Sequence, residues 1–569
     1  MTTLLGDDAA RAAIRSDLDT TLVVEAAAGT GKTTELVRRI VALVARGERL
    51  SRMAAVTFTD KAAGEMKLRL RRGLEQARQQ ALASRGAGEA GAEQRVAHLE
   101  QALAELEVAR IGTIHAFCAD LLRERPIEAN VDPSFEMASE DQVAALLERA
   151  FDDWFTRTLV APPAVLTRLL RRGGFDDDRG ASGMLRAAAL TLVDDRDFDA
   201  PWPPPPSFDR ERAIDELVEA LLGIDALAAE GSSGSRLVTS LQLLVAPATE
   251  ASARERRVGL GRDYDGLEAQ LCALPTKWDA WKFEGYPREF PAGVRDELLQ
   301  RRSDIKDALT RFAEQVEAEL ASALRELLRD VVHDYEALKG RAGWLDFTDL
   351  LLRTRELLVR DESVRTAWQR SFSHLFVDEF QDTDPLQADI LLLLASDPDA
   401  PLPGLAQQRE AWRLARVIPG KLFVVGDPKQ SIYRFRRADV RIYEGVKRHL
   451  AAGGAAVLYL STSFRSLPGI QALVNAAFAP NMLPTDDGTQ ARYVPLEPFR
   501  VAGSAQPAVI ALPVPRARLW REGPVKGSVE ESLPDAVGAF IAWLVSASGW
   551  TVEEAGERVP VAPRHVCLL

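Results

Sequence analysis

The sequence predicts an α/β fold: a parallel-sheet domain with a phosphate-binding loop, a large helical insertion, and a second, incomplete α/β domain. Near the start of the chain, a glycine-rich turn stands between a β-branched run and an amphipathic stretch. Beyond about residue 370, short apolar runs that end in polar residues recur. Between these regions, residues from about 120 to 340 show helical periodicity without strand alternation. These patterns together are typical of a parallel sheet interrupted by a helical domain.

Length and composition describe a large globular protein and exclude several classes. At 569 residues the chain is too long for a single core. Its 46% hydrophobic and 27% charged residues are ordinary, and no apolar run is long enough to cross a bilayer. The three cysteines are too widely spaced for a disulfide framework, so we expect a cytoplasmic protein without a membrane partner. The net charge of −13 gives no overall sign of nucleic-acid binding, but an acidic protein can still carry a local basic groove.

The turn Ala26–Thr34 (AAAGTGKTT) predicts a phosphate-binding loop between a strand and a helix. Gly29 and Gly31 allow the backbone to turn tightly and to direct its N–H groups at a polyphosphate. Lys32 can reach the outer phosphates, and the Thr33 hydroxyl can ligate magnesium. The residues expected to contact the nucleotide are Ala27, Ala28, Gly29, Thr30, Gly31, Lys32, Thr33 and Thr34.

A second pattern, His374–Gln387 (HLFVDEFQDTDPLQ), is a short apolar strand that ends in acidic residues. Asp378, at the strand end, is placed to hold magnesium directly or through water. Glu379 beside it can orient and deprotonate an attacking water. The alternative is a solvated acidic turn that includes Asp382 and Asp384. Paired with the loop at Lys32, this segment favours a nucleotide hydrolase.

A third pattern, Lys421–Asp439 (KLFVVGDPKQSIYRFRRAD), begins as a buried strand and then breaks at a glycine and a proline. Gln430 follows the break, where a neutral amide could sense a γ-phosphate. Tyr433 and Phe435 alternate with arginines that include Arg436. Aromatic rings that alternate with guanidinium groups suit single-stranded nucleic acid, because rings stack on bases and guanidinium groups pair with phosphates. Packing of both rings into the core is the alternative.

A fourth pattern, Leu460–Ser466 (LSTSFRS), follows another apolar run and places Arg465 at a strand–helix junction. An arginine in this position could reach across a domain interface to a γ-phosphate. The alternative is an ordinary surface arginine.

The helical region is organised by an apolar stripe at helical spacing, which predicts core packing by one helix of about 40 Å. The stripe consists of Phe312, Val316, Leu320, Leu324, Leu327, Val331, Tyr335 and Leu338. Upstream, Gly86–Gly91 predicts the turn of a helical hairpin, and Pro201–Pro206 (PWPPPP) predicts a stiff surface connector.

Together, the four patterns resemble the motifs of the UvrD/Rep/RecB class of ATP-dependent DNA helicases, in the order found in that family. Three further segments resemble motifs of the same class: Ala54–Arg69, Gly112–Cys118 (GTIHAFC) and Leu345–Leu351 (LDFTDLL). Two more, Pro133–Phe135 and Tyr493–Pro498 (YVPLEP), look like the RecB/AddA branch.

The resemblance implies a specific architecture and activity. It implies a first RecA-like motor domain from residues 1–120 and 340–440, an inserted DNA-binding accessory domain at 120–340, and an incomplete second RecA-like domain at 440–569. ATP and Mg²⁺ would be the cofactors. Single-stranded DNA, DNA ends or junctions and a helicase–nuclease subunit would be the partners. Translocation would run three-prime to five-prime, in DNA repair or recombination.

The resemblance also assigns roles to individual residues. Lys32 and Thr33 would hold the β/γ-phosphates and the magnesium, which Asp378 would also bind. Glu379 would activate water and Gln430 would sense the γ-phosphate. The second-domain residues Arg465 and Phe464 would contact the γ-phosphate and the adenine. The single-strand path would be lined by Phe58, Thr113, His115, Tyr433, Phe435 and Arg436. Core packing is the alternative for Phe58, and a position beside a helix cap is the alternative for His115.

The chain ends in an apolar stretch, His565–Leu569 (HVCLL), which predicts the start of a buried strand and therefore a truncated second domain. No carboxylate-rich cluster predicts a nuclease site. Two other classes remain open at this point. One is a nucleotide-binding scaffold that does not hydrolyse, and the other is a metabolic kinase with a phosphate-binding loop.

Overall fold

The computed structural model describes residues 5–173, 180–198, 208–232, 234–259, 261–485, 488–501, 506–512, 526–554 and 556–569. The connector predicted at Pro201–Pro206 lies outside these ranges. The described chain forms two compact units, one drawn from Met1–Ala129 and Arg353–Leu569 and the other from Asn130–Leu352. Within the described ranges, no helix is both long and apolar enough to cross a membrane.

The first unit is an α/β structure. Its strands are β1 (Leu22–Ala26), β2 (Met53–Thr57), β3 (Arg110–Thr113), β6 (His374–Val377), β7 (Leu422–Gly426), β8 (Ala456–Leu460), β9 (Thr462–Ser463), β10 (Glu497–Pro498), β11 (Thr551–Glu554) and β12 (Glu557–Pro560). Its helices are α1 (Asp8–Ser16), α2 (Lys32–Arg46), α3 (Asp60–Gly86), α4 (Ala92–Glu105), α5 (Ile114–Glu124), α15 (Glu362–Ser371), α16 (Pro385–Ala395), α17 (Val440–Ala452), α18 (Pro468–Phe478) and α19 (Lys526–Ser546).

Six strands form one sheet in the order β3-β2-β6-β7-β1-β8. Every pairing in this sheet is parallel. The carboxyl ends of all six strands therefore lie at the same edge, and so do the loops that follow them. This edge is where each of the four sequence patterns leaves its strand.

Burial on both faces explains why these strands are almost entirely apolar. The residues of β1, β2, β6 and β7 are all buried, as parallel sheets require. Leu36 and Ile40 of α2, and Leu70 and Leu74 of α3, pack into the same core. The predicted hairpin is confirmed, because α3 ends at Gly86 and α4 begins at Ala92.

The predicted start of a second α/β domain at residue 440 needs a correction. β8 pairs with β1 over the five positions from Leu22↔Ala456 to Ala26↔Leu460. Residues 440–460 therefore complete the first sheet. An apolar run has the same pattern in either sheet, so the sequence alone could not assign this one. The described parts of residues 461–569 belong to the same compact unit as this sheet, which is drawn from Met1–Ala129 and Arg353–Leu569. A separate second motor domain, and the rest of the three-domain division, therefore stay predictions.

The predicted strand at the end of the chain is wrong. Pro563–His565 forms a 3-10 turn, and residues 566–569 are in neither helix nor strand. Leu568 is 71% exposed. The hairpin of β11 and β12 is a separate two-stranded sheet, so in the described chain these last residues lack the neighbouring strand that would bury them.

The second unit is mostly helical. Its elements are β4 (Glu136–Met137), α6 (Glu140–Val160), α7 (Ala164–Gly173), α8 (Ala181–Asp194), α9 (Arg210–Ala228), α10 (Arg236–Val258), α11 (Tyr264–Ala273), α12 (Trp278–Trp281), α13 (Val294–Ala342) and β5 (Trp344–Leu345), with the start of α14 (Phe347–Arg360). β4 and β5 form a small parallel sheet.

The predicted stripe lies on α13, which has 49 residues and is therefore about 74 Å long. Phe312, Val316, Leu320, Val331 and Tyr335 are all buried. The first three pack in one core cluster and the last two in another. The helix therefore extends well beyond the predicted stripe and forms part of two cores.

A buried ion cluster explains the two aspartates of LDFTDLL. Asp346 accepts hydrogen bonds from Lys339 at 2.8 Å, Tyr335 at 2.8 Å and Arg196 at 2.6 Å. Asp349 lies 2.5 Å from Lys339 and 2.8 Å from Arg196. Although burial opposes the charge, Arg196 and Lys339 hold the pKa of Asp346 below its usual range. In this structure these aspartates fix the end of α13 rather than form an open site.

Candidate active site

The loop after β1 has the geometry of an anion-binding turn. Gly29 and Gly31 have φ values of 75° and 87°, in the left-handed region that favours glycine. The Thr30 hydroxyl closes the turn by donating to the Ala27 carbonyl at 2.8 Å. Lys32 then begins α2, a 15-residue helix. A tight loop that leads into a helix N-terminus is a general phosphate-binding arrangement.

The segment after β8 lies directly on this loop. The Phe464 N–H donates to the Gly29 carbonyl at 2.8 Å, and the Ser463 hydroxyl donates to the Ala28 carbonyl at 3.1 Å. A Cβ at Gly29 would lie only 2.5 Å from the Cβ of Arg465. Gly29 therefore has to be glycine for this contact as well as for its φ, and the Arg465 stem covers the loop.

The structure brings the loop lysine and the acidic pair together, although they lie far apart in the chain. Lys32 Nζ is 2.6 Å from Glu379 Oε2. The Thr33 hydroxyl donates to Asp378 Oδ2 at 3.0 Å. Glu379 has a φ of 54°, an unfavourable left-handed conformation for a residue other than glycine. Such strain is common at functional sites, where surrounding contacts hold it in place.

Charge at this edge is unbalanced towards the negative. Burial, together with the neighbouring Glu379 carboxylate, raises the pKa of Asp378 to about 6. The same two causes raise the pKa of Asp382 to about 6. Among the described residues, the carboxyl groups of Asp378, Glu379 and Asp382 therefore all interact with one cation, Lys32. A cation at this place would relieve the excess negative charge.

The donor set fits Mg²⁺. Thr33 Oγ1 and Asp378 Oδ2 are hard oxygen donors 3.0 Å apart, and Mg²⁺ in such sites takes one or two protein ligands plus substrate phosphates. Within the described ranges, no group of three or more His, Cys, Asp or Glu side chains could hold a metal without such phosphates. The fit therefore holds for magnesium that arrives with a nucleotide.

Gln381 joins the acidic pair to the segment after β7, a role that the sequence analysis missed. Its side-chain Nε2 donates to Glu379 Oε2 at 2.9 Å and to Asp382 Oδ2 at 3.1 Å. Its Oε1 accepts from the Asp427 N–H at 2.8 Å. Asp427 in turn accepts from Gln430 Nε2 at 2.7 Å. A continuous polar chain therefore runs from Glu379 to Gln430. The only signal in the sequence was a glutamine two residues after Glu379.

Arg11 is a second residue that the sequence analysis missed. Its guanidinium donates to Asp7 at 2.7 Å and to the Thr30 carbonyl at 3.0 Å. It also lies 5.0 Å from the centre of the Phe464 ring, which contacts the ring of Phe499 edge-on. Arg11 therefore links α1 to the loop and to the predicted adenine contact. The signal was the spacing of Asp7 and Arg11 by one helical turn.

Three of the predicted DNA-contacting rings lie together. The rings of Phe58 and Tyr433 have centres 4.7 Å apart, and those of Tyr433 and Phe435 are 5.7 Å apart. Phe58 directly follows β2, and Phe435 is 78% exposed. Core packing is thus excluded for Phe435, while Phe58 and Tyr433 are half-buried.

The remaining predicted DNA contacts are Thr113, His115 and Arg436. The Thr113 hydroxyl caps α5 by accepting from the Ala116 N–H at 3.3 Å, and His115 is the second residue of that helix. Both lie at the end of β3, beside the strand that leads to Phe58. The Arg436 backbone ends a 3-10 turn that begins at Arg434, and its side chain lies outside the described part of the structure.

A family model and several curated relatives each match most of this chain. Residues 7–451 match the family model described as the UvrD/REP helicase N-terminal domain. This span contains every candidate residue except Phe464 and Arg465. The chain is 25% identical over 530 residues to the A subunit of the ATP-dependent helicase/nuclease of Bacillus mycoides, a match that covers 83% of this chain and 39% of that protein.

Two further relatives carry the same name. The protein of Acetivibrio thermocellus is 27% identical over 513 residues, covering 80% of this chain and 38% of the relative. The protein of Pelotomaculum thermopropionicum is 28% identical over 532 residues, covering 81% and 38%. The chain therefore spans about two fifths of the length of the curated relatives it matches.

Proposed function

The chain belongs to the UvrD/REP helicase family, and on that premise we propose that it couples ATP hydrolysis to movement along single-stranded DNA. The observation that supports this proposal best is the 2.6 Å contact between Lys32 and Glu379. It places the loop lysine and the candidate base at one strand edge. The ring cluster of Phe58, Tyr433 and Phe435, of which Phe435 is exposed, follows strands of the same edge.

In the proposed reaction, Lys32 leaves Glu379 and binds the outer phosphates of ATP. Glu379, released from its ion pair, accepts a proton from the attacking water. Thr33 and Asp378 would hold Mg²⁺, which neutralises phosphate charge when it is bound. Arg465, whose stem covers Gly29, would stabilise the charge that develops on the γ-phosphate. The Phe464 ring, backed by Arg11, would contact the adenine.

We propose that Gln381 connects this chemistry to DNA. Its side-chain amide bonds to Glu379 and to the backbone of Asp427, and its backbone carbonyl accepts from the Ser431 hydroxyl at 3.0 Å. Ser431 precedes Tyr433 of the ring cluster by two residues. A shift of Gln381 would therefore move the catalytic base and the DNA-contacting segment together, since both hydrogen-bond to it.

Gln381→Ala should lower DNA-stimulated ATP turnover by about tenfold, because Glu379 loses a charge-assisted hydrogen bond worth roughly 1.5 kcal/mol. ATP affinity should stay within about twofold, since the loop is intact. Steady-state phosphate release with and without oligothymidylate measures the first effect. Gln387→Ala, in the same acidic segment, is the matched control. Equal losses in both variants would contradict a specific role for Gln381.

Phe435→Ala should weaken single-strand binding by about 1–3 kcal/mol, the usual value of one base stacked on one ring. Its 78% exposure means that folding should be unaffected. Fluorescence anisotropy with a labelled oligonucleotide measures the change. Ile432→Ala is the matched control, because Ile432 is 71% exposed in the same segment but has no aromatic face. The same loss in both variants would indicate general apolar contact and not stacking.

The proposal as a whole is tested by ATP turnover with and without single-stranded DNA. Stimulation by DNA supports a motor. ATP binding without turnover supports the scaffold class, and turnover that ignores DNA supports a kinase-like enzyme. Displacement of streptavidin from either end of an oligonucleotide tests the three-prime to five-prime direction, which rests on family resemblance.

The finer parts of the proposal follow from the family and the relatives. The relatives are named as subunits of a helicase/nuclease, so we propose a partner subunit of that kind and a role at DNA ends or junctions in repair. Work on bacterial DNA would place the protein in the cytoplasm, where its three free cysteines stay reduced. Co-purification with a partner encoded nearby tests the assembly.

A further inference from the structure

The Phe464 ring lies beside the phosphate loop, where the base of a bound nucleotide would lie. A Cβ at Gly31 would be 4.0 Å from Phe464 Cε2 and 3.8 Å from Arg11 Nη1. The Arg11 guanidinium is 5.0 Å from the ring centre, and the Phe499 ring contacts Phe464 edge-on with the two centres 4.7 Å apart. A base joined to a triphosphate in the loop would therefore be within reach of two aromatic rings.

The buried carboxylate nearest to this ring pair, Asp7, already has its hydrogen-bond partners. Its Oδ1 accepts from Arg11 Nε at 2.7 Å, and its Oδ2 accepts from the N–H groups of Ser461 and Thr462 at 3.0 Å each. Although burial opposes the charge, hydrogen bonds from Arg11 and from the Thr462 backbone hold the pKa of Asp7 below its usual value. Asp7 is therefore fixed as an anion by the protein itself.

The buried cation, Arg11, is equally occupied. Its Nη2 donates to Asp7 at 2.8 Å and to the Thr30 carbonyl at 3.0 Å, and its Nη1 donates to Glu35 at 3.3 Å. The side chain is only 4% exposed. Its contact with Phe464 is thus made through the flat face of the guanidinium, which supports the ring and leaves its N–H groups bonded to protein.

The hydroxyl groups beside Phe464 are also out of reach. The Ser463 side chain is fully buried and donates to the Ala28 carbonyl at 3.1 Å. The Thr462 hydroxyl is sealed from solvent. Among the described residues, the buried polar side chains at this place therefore face the protein and do not present an edge to a base.

Two polar side chains here do face water. The Glu497 carboxylate lies against Gly6 and is exposed. Arg500 is exposed as well, and its Nε donates to the Phe464 carbonyl at 2.9 Å. A base that fails to bond to either group leaves it hydrated, which costs little. Each of the four common bases also carries an N–H donor at its pairing edge, so a solvated carboxylate could accept from any of them.

We propose that this site takes purine and pyrimidine nucleoside triphosphates alike, with the loop holding the triphosphate and Phe464 and Phe499 holding the base without reading its edge; this rests on the proposed function. A site rejects an analogue strongly only where the analogue leaves a buried polar group unpaired. The buried groups here are already paired within the protein. Stacking on a ring tolerates any base, because every base has a π-face.

The first test is turnover of ATP, GTP, CTP and UTP by the full chain in the presence of oligothymidylate. The four values of kcat/KM should lie within about tenfold of one another, whereas a site that reads a hydrogen-bonding group discriminates by about 10⁴-fold or more. An advantage of 10²-fold or more for ATP over the other three would overturn the inference and leave the proposed function standing.

The second test measures binding and does not depend on turnover. Each of the four nucleotides, and inorganic tripolyphosphate, competes with a fluorescent ADP analogue for the unaltered protein in the presence of Mg²⁺. The nucleotides should compete about equally, and tripolyphosphate should be weaker by about fivefold or more, since it lacks a base to stack. Tripolyphosphate that competes as well as ATP would exclude stacking and overturn the inference.

The binding test also separates this inference from the proposed function. Equal binding of all four nucleotides without turnover would support the inference and count against the motor. Binding of ATP alone, with DNA-stimulated turnover, would overturn the inference and support the motor. Absence of binding by any of the four would overturn both.

A pair of variants tests the role of the ring directly. Phe464→Ala should weaken all four nucleotides by the same factor, about fivefold or more, and should leave tripolyphosphate unchanged. An equal loss for tripolyphosphate would mean that the ring supports the loop and not the base, and would overturn the inference. Glu497→Gln is the matched control and should change the ratio of ATP to GTP affinity by less than about twofold. A tenfold change in that ratio would show that Glu497 reads the base edge.

Discussion

Replacing Glu379 with glutamine should lower ATP turnover by about 10²–10⁴-fold, the usual contribution of a general base. Glutamine keeps the shape of the side chain but cannot accept a proton from water. ATP affinity should not fall, because Lys32 must leave its 2.6 Å ion pair with Glu379 to reach a phosphate. Removing that charge makes the move easier. Single-turnover hydrolysis and calorimetric titration with ATP measure the two effects separately.

The control for this variant is Asp382→Asn, which removes a charge from the same carboxyl cluster. Asp382 accepts from Gln381 at 3.1 Å, as Glu379 does at 2.9 Å, so both variants disturb the same network. Of the two, Glu379 is the one that pairs with the loop lysine. A comparable loss in Asp382→Asn would mean that the cluster charge matters more than a specific base. Normal turnover in Glu379→Gln would remove Glu379 from that role.

Much of the fold could be predicted because its signals are local. A β-branched run, a glycine turn and an amphipathic stretch identify β1, the loop and α2 without any tertiary information. The meeting of Lys32 and Glu379 could also be anticipated, since both follow strands of a parallel sheet and all such loops share one edge. The pairing of β8 with β1 could not be predicted, because an apolar run does not indicate which strand it pairs with.

The candidate site shows the same limit. Gln381 and Arg11 matter through contacts with residues distant in the chain, and neither has a spacing that identifies those partners. Exposure is equally hidden from sequence: Phe435 and Tyr433 look alike in a pattern, yet one is 78% exposed and the other half-buried.

Lys32→Ala should weaken Mg-ATP binding by about 150- to 5,000-fold, because the outer phosphates would lose a partly buried charged partner worth roughly 3–5 kcal/mol. The Lys32 side chain is 11% exposed, so solvent cannot replace it well. Calorimetric titration measures the loss. Lys32→Arg keeps the positive charge on a side chain of different shape, so it should recover part of the Mg-ATP affinity. Unchanged affinity in Lys32→Ala would place the phosphates elsewhere.

A double variant separates lost binding from lost folding. In Lys32→Ala, the Glu379 carboxylate stays beside Asp378 and Asp382 without its cation, so the midpoint of thermal unfolding should fall. Adding Glu379→Gln removes the repulsion, and the midpoint should recover. ATP affinity should remain low in the double variant, since the phosphates still lack their lysine. Recovery of both properties together would show that Lys32 supports the fold at this edge and does not bind phosphate.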